Sequence, residues 1–582
     1  MKKFLLPALS ISAALCLVLS GCSFGGGDNS ATADAAGTTQ AQADVNTADT
    51  SGMDFGFDDD GAQADAASGT IVDVAGNTVT TSGINSYSIT SGGVYTLEGT
   101  IKDTMITVDA GDADVTIVLN GATITNSSGP AVYVRSADKV TLTLESGTVN
   151  TVSDGSSYTV TDNDSTLDAA IFSKADLTVN GDGALIVNGN YKHGIVSKDD
   201  LIISSGTLTV KANNVGLNGK DCVKINSGSI TITAGSDGIR ADNDEDTAKG
   251  YVYLYGGTVS ITAGNDGIQA ETVVNVENVD LTITAGGGSS GSLASSSESY
   301  KGIKAVSDVY ITGGTFNISS KDDCIHSNGT ITISGGTYML SSGDDGVHAD
   351  TDLAVSGDST SLTVSKSYEG LEATNIVITG GTISVTATDD GINAANGNNS
   401  ASTAAAYGRP GQNSFSSSTG TINISGGTIY IKMGGDGIDA NGSVSITGGT
   451  VTVSGANSGD TSILDYDTTG VISGGTFIGT GALGMAQNFS TSSTQGAIMI
   501  SASGSAGTVI TLKDSGGNVL LTHTADQAFS CVIISHSSIV KGGTYILSVG
   551  SSDTTISMTD TVYGSGSGMG GGGMGGGMGG RP

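Results

Sequence analysis

The feature that most constrains this chain is a short phrase, Asp-Gly-Ile/Val-x-Ala, that returns at a nearly constant interval. Gly194, Gly216 and Gly238 are 22 residues apart, and the same step separates Gly302, Cys324 and Gly346. Complete copies of the phrase begin at Asp237, Asp266, Asp345, Asp390 and Asp436. Repetition with this period is typical of a solenoid, in which each repeat stacks on the one before it.

Composition restricts the class of solenoid. The 582 residues include 91 Gly, only 4 Pro and no Trp, and alternating runs such as Thr330-Ile331-Thr332-Ile333 are strand signals. A coil of this length with three short strands has a perimeter of roughly 70 Å and stacks on its neighbour at about 4.8 Å. We therefore predict an all-β chain with a single-stranded parallel β-helix over residues 71–487. A propeller or a sandwich would need antiparallel hairpins, whereas the Gly phrases return once per coil.

The phrase also predicts which side chains face inwards. In Val347-His348-Ala349, the two apolar residues fill the interior and His348 points outwards. Insertions at 242–249, 286–299 and 396–420 lengthen three of the coils. We expect all three beside the Asp-Gly corner, where they would form the walls of a groove.

The two ends of the chain differ from the repeat. Residues 1–21 carry Lys2, Lys3 and an apolar run, and Leu19-Ser20-Gly21-Cys22 resembles a bacterial lipoprotein signal, which implies a lipid on Cys22. We predict a disordered acidic tether over 22–70, a small β module over 488–563 that caps the last coil, and a disordered Gly/Met-rich tail over 564–582.

The net charge of −35 argues against nucleic acid and anionic membrane surfaces as partners. A cation must therefore separate the protein from any acidic ligand. After removal of the signal, the wide spacing of Cys222, Cys324 and Cys531 suggests neither a disulfide framework nor a zinc site. We expect buried free thiols at Cys222 and Cys324.

Stacking turns each repeat position into a row, and the Asp before each Gly becomes a row of carboxylates. Neighbours roughly 5 Å apart would repel by about 3 kcal/mol at an effective dielectric near 20, so the row must splay, take up protons or bind cations. Clustered oxygen ligands suit Ca²⁺. A second row of carboxylates, expected at the same corner, consists of Asp242, Glu271 and Asp350, and the neighbouring loop adds Asp244. The predicted metal ligands are Asp237, Asp242, Asp244, Asp266, Glu271, Asp323, Asp345, Asp350, Glu369 and Asp390. The alternative is that each Asp only stabilises a turn.

The outward position beside the corner is polar in every coil and could meet the hydroxyl groups of a sugar chain. Its predicted substrate-binding residues are Arg240, Gln269, Lys304, His326, His348, Glu372 and Asn393, followed by Asp439. The alternative is an ordinary solvated face. Tyr300 and Tyr368 lie near the corner and could stack on sugar rings or simply pack against the protein.

No Ser/His/Asp or Cys/His constellation is evident, so no catalytic residue is assigned. One reaction would fit a calcium-lined β-helix, namely β-elimination of a uronate chain, with Ca²⁺ acidifying the α-proton and a Lys or Arg as base. Lys220 and Lys301 are the candidates for that base, followed by Lys304 and Arg240.

Several phrases together resemble one family, the bacterial carbohydrate-binding β-helix proteins related to family 9 polysaccharide lyases. They include Ala170-Ile171-Phe172-Ser173-Lys174, Gly219-Lys220-Asp221, Lys249-Gly250-Tyr251-Val252-Tyr253, Gly267-Ile268-Gln269-Ala270-Glu271 and Ser367-Tyr368-Glu369-Gly370-Leu371. The resemblance implies a right-handed β-helix with bound calcium and an affinity for polygalacturonate or cellulose. The chain departs from the pattern at Val215 and Lys301, where an Asp is expected.

Three hypotheses follow. The first is a monomeric, non-catalytic lipoprotein on the extracellular face of the bacterial membrane that binds plant cell-wall polysaccharide through Ca²⁺. The second is a calcium-dependent pectate or polysaccharide lyase. The third is a structural adhesin in which the Asp row only holds turns.

Overall fold

The computed structural model describes residues 50–57, 85–163, 166–290, 298–395, 420–458 and 461–564. Within them the regular structure is all β, and no helix is long and apolar enough to cross a bilayer. The predicted signal, its Cys22, most of the tether and nearly all of the Gly/Met-rich tail lie outside the described residues.

The solenoid consists of short strands that follow one another along the chain. These strands are β1 (Asn85–Ile89), β2 (Gly93–Ile101), β3 (Thr104–Asp109), β4 (Val115–Thr125), β5 (Val132–Ser136), β6 (Lys139–Leu144), β7 (Val149–Ser153), β8 (Ala169–Ser173), β9 (Asp176–Gly181), β10 (Ala184–Gly189), β11 (His193–Ser197), β12 (Asp200–Ile203), β13 (Thr207–Ala212), β14 (Leu217–Gly219), β15 (Cys222–Ile225), β16 (Ser229–Ala234), β17 (Ile239–Ala241), β18 (Tyr251–Leu254), β19 (Thr258–Ala263), β20 (Ile268–Ala270), β21 (Val273–Val276), β22 (Asp280–Ala285), β23 (Ile303–Ala305), β24 (Asp308–Ile311), β25 (Thr315–Ser320), β26 (Ile325–Ser327), β27 (Thr330–Ile333), β28 (Thr337–Ser342), β29 (Val347–Val355), β30 (Ser361–Ser367), β31 (Leu371–Ile378), β32 (Thr382–Ala387), β33 (Ile392–Ala394), β34 (Thr421–Ile424), β35 (Thr428–Met433), β36 (Ile438–Ala440), β37 (Ser443–Ile446), β38 (Thr450–Gly455), β39 (Leu464–Tyr466), β40 (Thr469–Ile472) and β41 (Thr476–Gly481).

Each of these strands pairs in parallel with its counterpart in a neighbouring coil, and the pairings define three faces. Face 1 carries the shortest strands, such as β17, β20, β23 and β26. Face 2 follows it along the chain with β15, β18, β21 and β24. Face 3 completes the coil with β16, β19, β22 and β25. The architecture is therefore the predicted parallel β-helix.

The Asp-Gly phrase stacks on itself in register, as its spacing predicts. Ile239 pairs with Ile268, which pairs with Ile303, and the same column continues through Ile325 and Val347. The corner that joins face 3 to face 1 holds the row residues, and we call it the acidic corner. The longer steps in the repeat leave this alignment intact, since Ile239 pairs with Ile268 and Ile392 pairs with Ile438 across them.

Alternating apolar residues fill the interior. On face 1 the outer residues of each triplet, such as Ile268 and Ala270, are buried, while Gln269 between them is partly exposed. Two neighbouring coils also place aromatic rings inside, where Phe316 and Tyr338 lie with centroids 4.5 Å apart and nearly parallel planes. Cys222, Cys324 and Cys531 are buried free thiols, as predicted for the first two.

The region after the last coil forms a separate β module. Its strands are β42 (Ala497–Gly504), β43 (Val509–Asp514), β44 (Val519–Thr524), β45 (Phe529–Ser535), β46 (Thr544–Val549), β47 (Ser552–Ser557) and β48 (Val562–Tyr563). Strand β45 pairs antiparallel with both β41 and β42. It thereby supplies partners to the backbone groups that β41 would otherwise leave open at the end of the helix. Strands β42, β45 and β48 thus belong to the sheet of the solenoid, and the remaining four strands form a second, antiparallel sheet in the order β44-β43-β46-β47.

The prediction that all insertions flank the acidic corner is wrong in part. The insertion at 286–299 follows β22 and does lie there, although 291–297 are outside the described residues. The insertion at 242–249 instead connects β17 to β18, at the other end of face 1. The insertion at 396–420 likewise connects β33 to β34, and residues 396–419 are not described. Insertions therefore occur at both edges of face 1.

We predict that Phe316→Ala destabilises the solenoid by about 3–5 kcal/mol, because it removes a fully buried ring and leaves a cavity beside Tyr338. Urea unfolding followed by circular dichroism measures the change. Met339→Ala is the matched control, since Met339 points outwards and is 52% exposed. It should cost less than about 0.5 kcal/mol. Equal losses for the two variants would contradict this account of the core.

Candidate functional site

One oxygen of most carboxylates in the acidic corner is committed to the backbone. Asp237 Oδ1 accepts the N–H of Asp266 at 3.3 Å, and Asp266 Oδ1 accepts the N–H of Lys301 at 2.7 Å. Asp345 Oδ1 accepts the N–H of Glu369 at 3.1 Å in the same way. Each bond joins a coil to the next one, so these carboxylates do hold the turns together.

The second oxygen meets a basic side chain in the first half of the row. Asp237 Oδ2 lies 3.4 Å from Arg240 Nη1, and Asp266 Oδ2 lies 3.6 Å from Lys304 Nζ. Further along, Asp323 contacts His326, and Asp345 Oδ2 lies 3.0 Å from His348 Nδ1. Four of the seven predicted substrate-binding residues are therefore basic partners of the corner carboxylates.

The predicted second carboxylate row lies at the opposite edge of face 1, not at the acidic corner. Because each face 1 strand has only three residues there, one outward side chain can reach both edges. Arg240 bonds Asp237 with one nitrogen and Asp242 with the other. His348 similarly contacts Asp345 and Asp350, while Gln269 bonds Glu271 at 3.2 Å. Asp244 is exposed in the loop of 242–249 and belongs to neither row.

Beyond His348, face 1 changes its charge. The register places Glu372, Asn393, Asp439 and Asp465 in succession at the outward position, and none of them is basic. The corner carries Glu369, Asp390 and Asp436 beside them. We call this set of carboxylates the acidic end of face 1.

Burial and mutual repulsion hold protons on the acidic end. Burial, with help from the neighbouring Asp389, raises the pKa of Asp390 to about 7. Burial and the adjacent Asp390 raise the pKa of Asp436 to about 8. Asn393 donates to Glu369 at 2.7 Å, yet its own buried Oδ1 has no hydrogen-bond partner among the described residues. The acidic end therefore offers several oxygens that lack a positive partner.

His348 lies where the part of face 1 with basic side chains meets the acidic end, and carboxylates surround it. It lies 2.8 Å from Glu372, in addition to its contacts with Asp345 and Asp350. Burial lowers the pKa of His348, but the hydrogen bonds to these three carboxylates outweigh burial and hold that pKa well above its usual range. The predicted water-facing imidazole is thus a partly buried cation.

A further carboxylate cluster, which the sequence did not single out, lies where face 1 joins face 2. Oxygens of Asp176, Asp199 and Asp200 are all within 4.8 Å of one another. Burial and a hydrogen bond shared with Asp221 raise the pKa of Asp199 to about 7. We call Asp176, Asp199 and Asp200 the carboxylate triad. The recurrence of Lys174-Ala175-Asp176 and Lys198-Asp199-Asp200 is the signal that could have revealed it.

The chain matches the model of the "Carbohydrate-binding domain-containing protein" family over residues 84–346 and again over 347–567. It belongs to this family. A curated relative of the same description from Acetivibrio thermocellus is 40% identical over 126 residues, which are 21% of this chain and 44% of that protein. The chain thus spans less than half the length of that relative. A solved structure titled as a polysaccharide lyase-like protein from C. thermocellum, as a gadolinium derivative, shares 38% identity, covers 39% of this chain and 87% of that one, and has a TM-score of 0.36.

In this member of the family, three of the residues considered as a base are ion-paired. Lys301 takes the place of an Asp in the corner and lies 3.1 Å from Asp322 Oδ1. Burial lowers the pKa of Lys301, but Asp323 and Asp322 together hold that pKa above its usual value. Arg240 and Lys304 are paired as described above, and Lys220 is partly exposed at the other edge of face 1.

The aromatic side chains considered near the corner also have defined environments. The Lys321 ammonium lies 4.0 Å from the centre of the Tyr300 ring. Tyr368 remains 40% exposed beside the acidic corner. Val215, which replaces an expected Asp, is buried, and its N–H bonds His193 Nδ1.

We predict that the carbohydrate-binding domain loses stability in chelator as the pH rises from about 5 to about 8. Asp390 and Asp436 have pKa values raised above the ordinary value, so their contribution is present at low pH and is lost as the pH passes about 7 and 8, respectively. Asp436→Asn should flatten this dependence and stabilise the domain by about 1–2 kcal/mol near the upper pH. Urea midpoints across the pH range measure the effect.

Asp553→Asn changes the net charge equally at an exposed position of the C-terminal module and serves as control. It should leave the pH profile unchanged. A parallel shift for both variants would mean that overall charge, and not the acidic end, governs the pH dependence.

Proposed function

We propose that this carbohydrate-binding protein is non-catalytic and holds acidic plant cell-wall polysaccharide, such as polygalacturonate, along face 1 through bound Ca²⁺. The observation that carries the proposal is the division of face 1 into a charge-compensated half and an acidic end. An acidic polymer could approach the compensated half directly, whereas at the acidic end a cation must lie between two sets of carboxylates.

The outward row has the dimensions and chemistry for a polymer. From Arg240 to Asp465 it extends over nine successive coils, or roughly 40 Å at the spacing of paired strands. Each coil presents one hydrogen-bonding side chain at the equivalent outward position of face 1. Such a repeated array suits a ligand that is itself a repeat.

The carboxylate triad is the set best suited to Ca²⁺. Its donors are all hard oxygens and they already converge. Burial and the hydrogen bond shared with Asp221, followed by the charges of Asp176, Asp221 and Asp200, raise the pKa of Asp199. The acidic end adds Glu369, Asp390 and Asp436, with the unpartnered Asn393 Oδ1 beside them. By contrast, Asp237, Asp266, Asp323 and Asp345 each have a basic partner within 3.6 Å and are less suited to an ion. In the triad, Asp200 lies 3.9 Å from the Lys224 ammonium.

A binding protein fits this face better than a lyase. A base for β-elimination must be able to lose its proton, and Lys301 is held as a cation between two carboxylates. Arg240 and Lys304 contribute their charge to Asp237 and Asp266. The basic side chains of face 1 thus serve to neutralise the acidic corner.

Binding to immobilised polygalacturonate in the presence of Ca²⁺ and of chelator tests the proposal. We expect retention that disappears with chelator and returns with Ca²⁺. Substituting both Asp199 and Asp200 by Asn should weaken calcium binding at least about tenfold, since even the loss of an outer partner of a metal site has that effect. Asp182→Asn removes an exposed carboxylate nearby in the chain and should change nothing.

Two results would overturn the proposal. Retention that is indifferent to chelator would remove the role of Ca²⁺. Unsaturated products that absorb in the ultraviolet and disappear in Lys220→Ala would favour the lyase instead.

We further propose that Cys22 carries a lipid that holds the protein on the extracellular face of the bacterial membrane. Cys22→Ser should move the protein from the membrane fraction to the soluble fraction, because one thioether-linked lipid is its only predicted anchor. Immunoblots of the two fractions measure the change, with Cys16→Ser as control within the predicted signal. An unchanged membrane fraction would contradict the anchor.

A further inference from the structure

Face 2 has an outward surface unlike that of its neighbours. Where β27 presents Thr330 and Thr332, the strands stacked before it present several aromatic and apolar side chains, among them Val273 and Tyr310. Tyr251 stands above Cys222, and Tyr253 stands above Lys224. Tyr251, Tyr253, Val273 and Tyr310 form, together with Cys222, a cluster that is separate from the interior of the helix. We call this cluster the tyrosine platform.

A segment from the N-terminal region covers the tyrosine platform. In residues 53–57, which we call the strap, Met53, Phe55 and Phe57 face the coils. The Phe55 ring meets Tyr251 and Tyr253 edge-on at 5.3 and 5.1 Å. The Phe57 ring lies over Tyr253 at 5.5 Å, with an angle of 24° between the planes. Phe57 thus covers the face of the Tyr253 ring.

The strap also brings a carboxylate to a buried cation. Lys224 is only 1% exposed, and its Nζ lies 3.2 Å from Asp54 Oδ2 and donates to the Gly56 carbonyl at 3.1 Å. Asp200 of the carboxylate triad is 3.9 Å away from the same ammonium. The Asp54 side chain itself is 67% exposed, so this partner of Lys224 lies on the solvent side.

We propose that the strap is an internal stand-in for a ligand, and that the tyrosine platform with Lys224 is a second site for a sugar chain that bears carboxylates. The strap supplies the two groups such a chain would supply, namely flat apolar rings for the tyrosines and a carboxylate with nearby carbonyl oxygens for the ammonium. The ligand class rests on the proposed function, but the site is distinct from face 1.

The strap is suited to displacement. Its hydrogen bonds to the coils come from two side chains, Lys224 Nζ and the Tyr251 hydroxyl, which donates to the Asp54 carbonyl at 2.5 Å. A polymer that enters the platform replaces these contacts one for one. In this proposal the ligand binds only where the strap is displaced, so the strap lowers the apparent affinity for the ligand by the open fraction.

Calorimetric titration with an oligogalacturonate tests the competition in the full chain. Asp54→Asn removes the charge that holds the strap on Lys224, so affinity should rise about tenfold, the effect of losing one charge-assisted hydrogen bond. Adding Lys224→Met should abolish this gain. A neutral cello-oligosaccharide should bind equally to all variants, and Asp553→Asn, which is exposed and remote in sequence, should behave as the parent chain.

Chymotrypsin gives a second readout that needs no substitution. Cleavage after Phe55 and Phe57, identified by mass spectrometry, should rise as the oligogalacturonate is added to the unaltered chain. If the strap only covers an apolar surface, Asp54→Asn would lower the melting temperature without raising affinity, and cleavage would stay constant. Either result overturns the inference, as does strap release by the neutral oligosaccharide alone.

The failure of this inference can be told from the failure of the proposed function. A chain that binds no acidic polysaccharide under any condition removes both. A chain that is retained through Ca²⁺ and face 1, while cleavage of the strap and the affinity of Asp54→Asn remain unchanged, removes only the second site.

Discussion

The parallel hydrogen bonding between successive coils is the constraint on which the rest of this structure depends. It places each residue directly above its counterpart, as Ile239, Ile268 and Ile303 show inside the helix. The same alignment stacks like charges outside, so Asp237 and Asp266 become neighbours although 29 residues separate them. A repeat that is favourable for the core is therefore unfavourable for the acidic corner, and the chain must relieve that repulsion.

The relief takes different forms along the helix. In the first half, one carboxylate oxygen accepts an N–H from the next coil and the other faces a basic side chain, as in Asp237 with Arg240. Lys301 goes further and replaces an acid within the row. In the second half no outward residue is basic, and protons take the place of cations on Asp390 and Asp436. This change from a neutral to an acidic face is the basis of the proposed function, in which an acidic chain would bind directly at one end and through metal ions at the other.

The edge between faces 1 and 2 connects the carboxylate triad to the tyrosine platform. Asp200 belongs to the triad and also lies near Lys224, whose ammonium holds the strap. Occupation of one proposed site would therefore alter the charge next to the other. The strap carries both an aromatic and an acidic group to this edge.

The sequence by itself determined the coil, because the 22-residue step and the alternation of apolar residues admit one arrangement of short parallel strands. It also determined the corner row and the outward row, since identical positions must stack. It could not decide the partners of those side chains. Asp242 and Asp350 proved to lie at the opposite edge of face 1 from the acidic corner, and Arg240 and His348 reach both edges.

Tertiary structure alone decided two further features. The carboxylate triad combines residues from successive coils whose motif is too short to stand out in the sequence. The strap meets Lys224 across 170 residues, and no period links Asp54 to face 2. Repetition predicts contacts between copies of one phrase, whereas a contact between a unique segment and a unique patch depends on the shape and charge that appear only after the chain has folded.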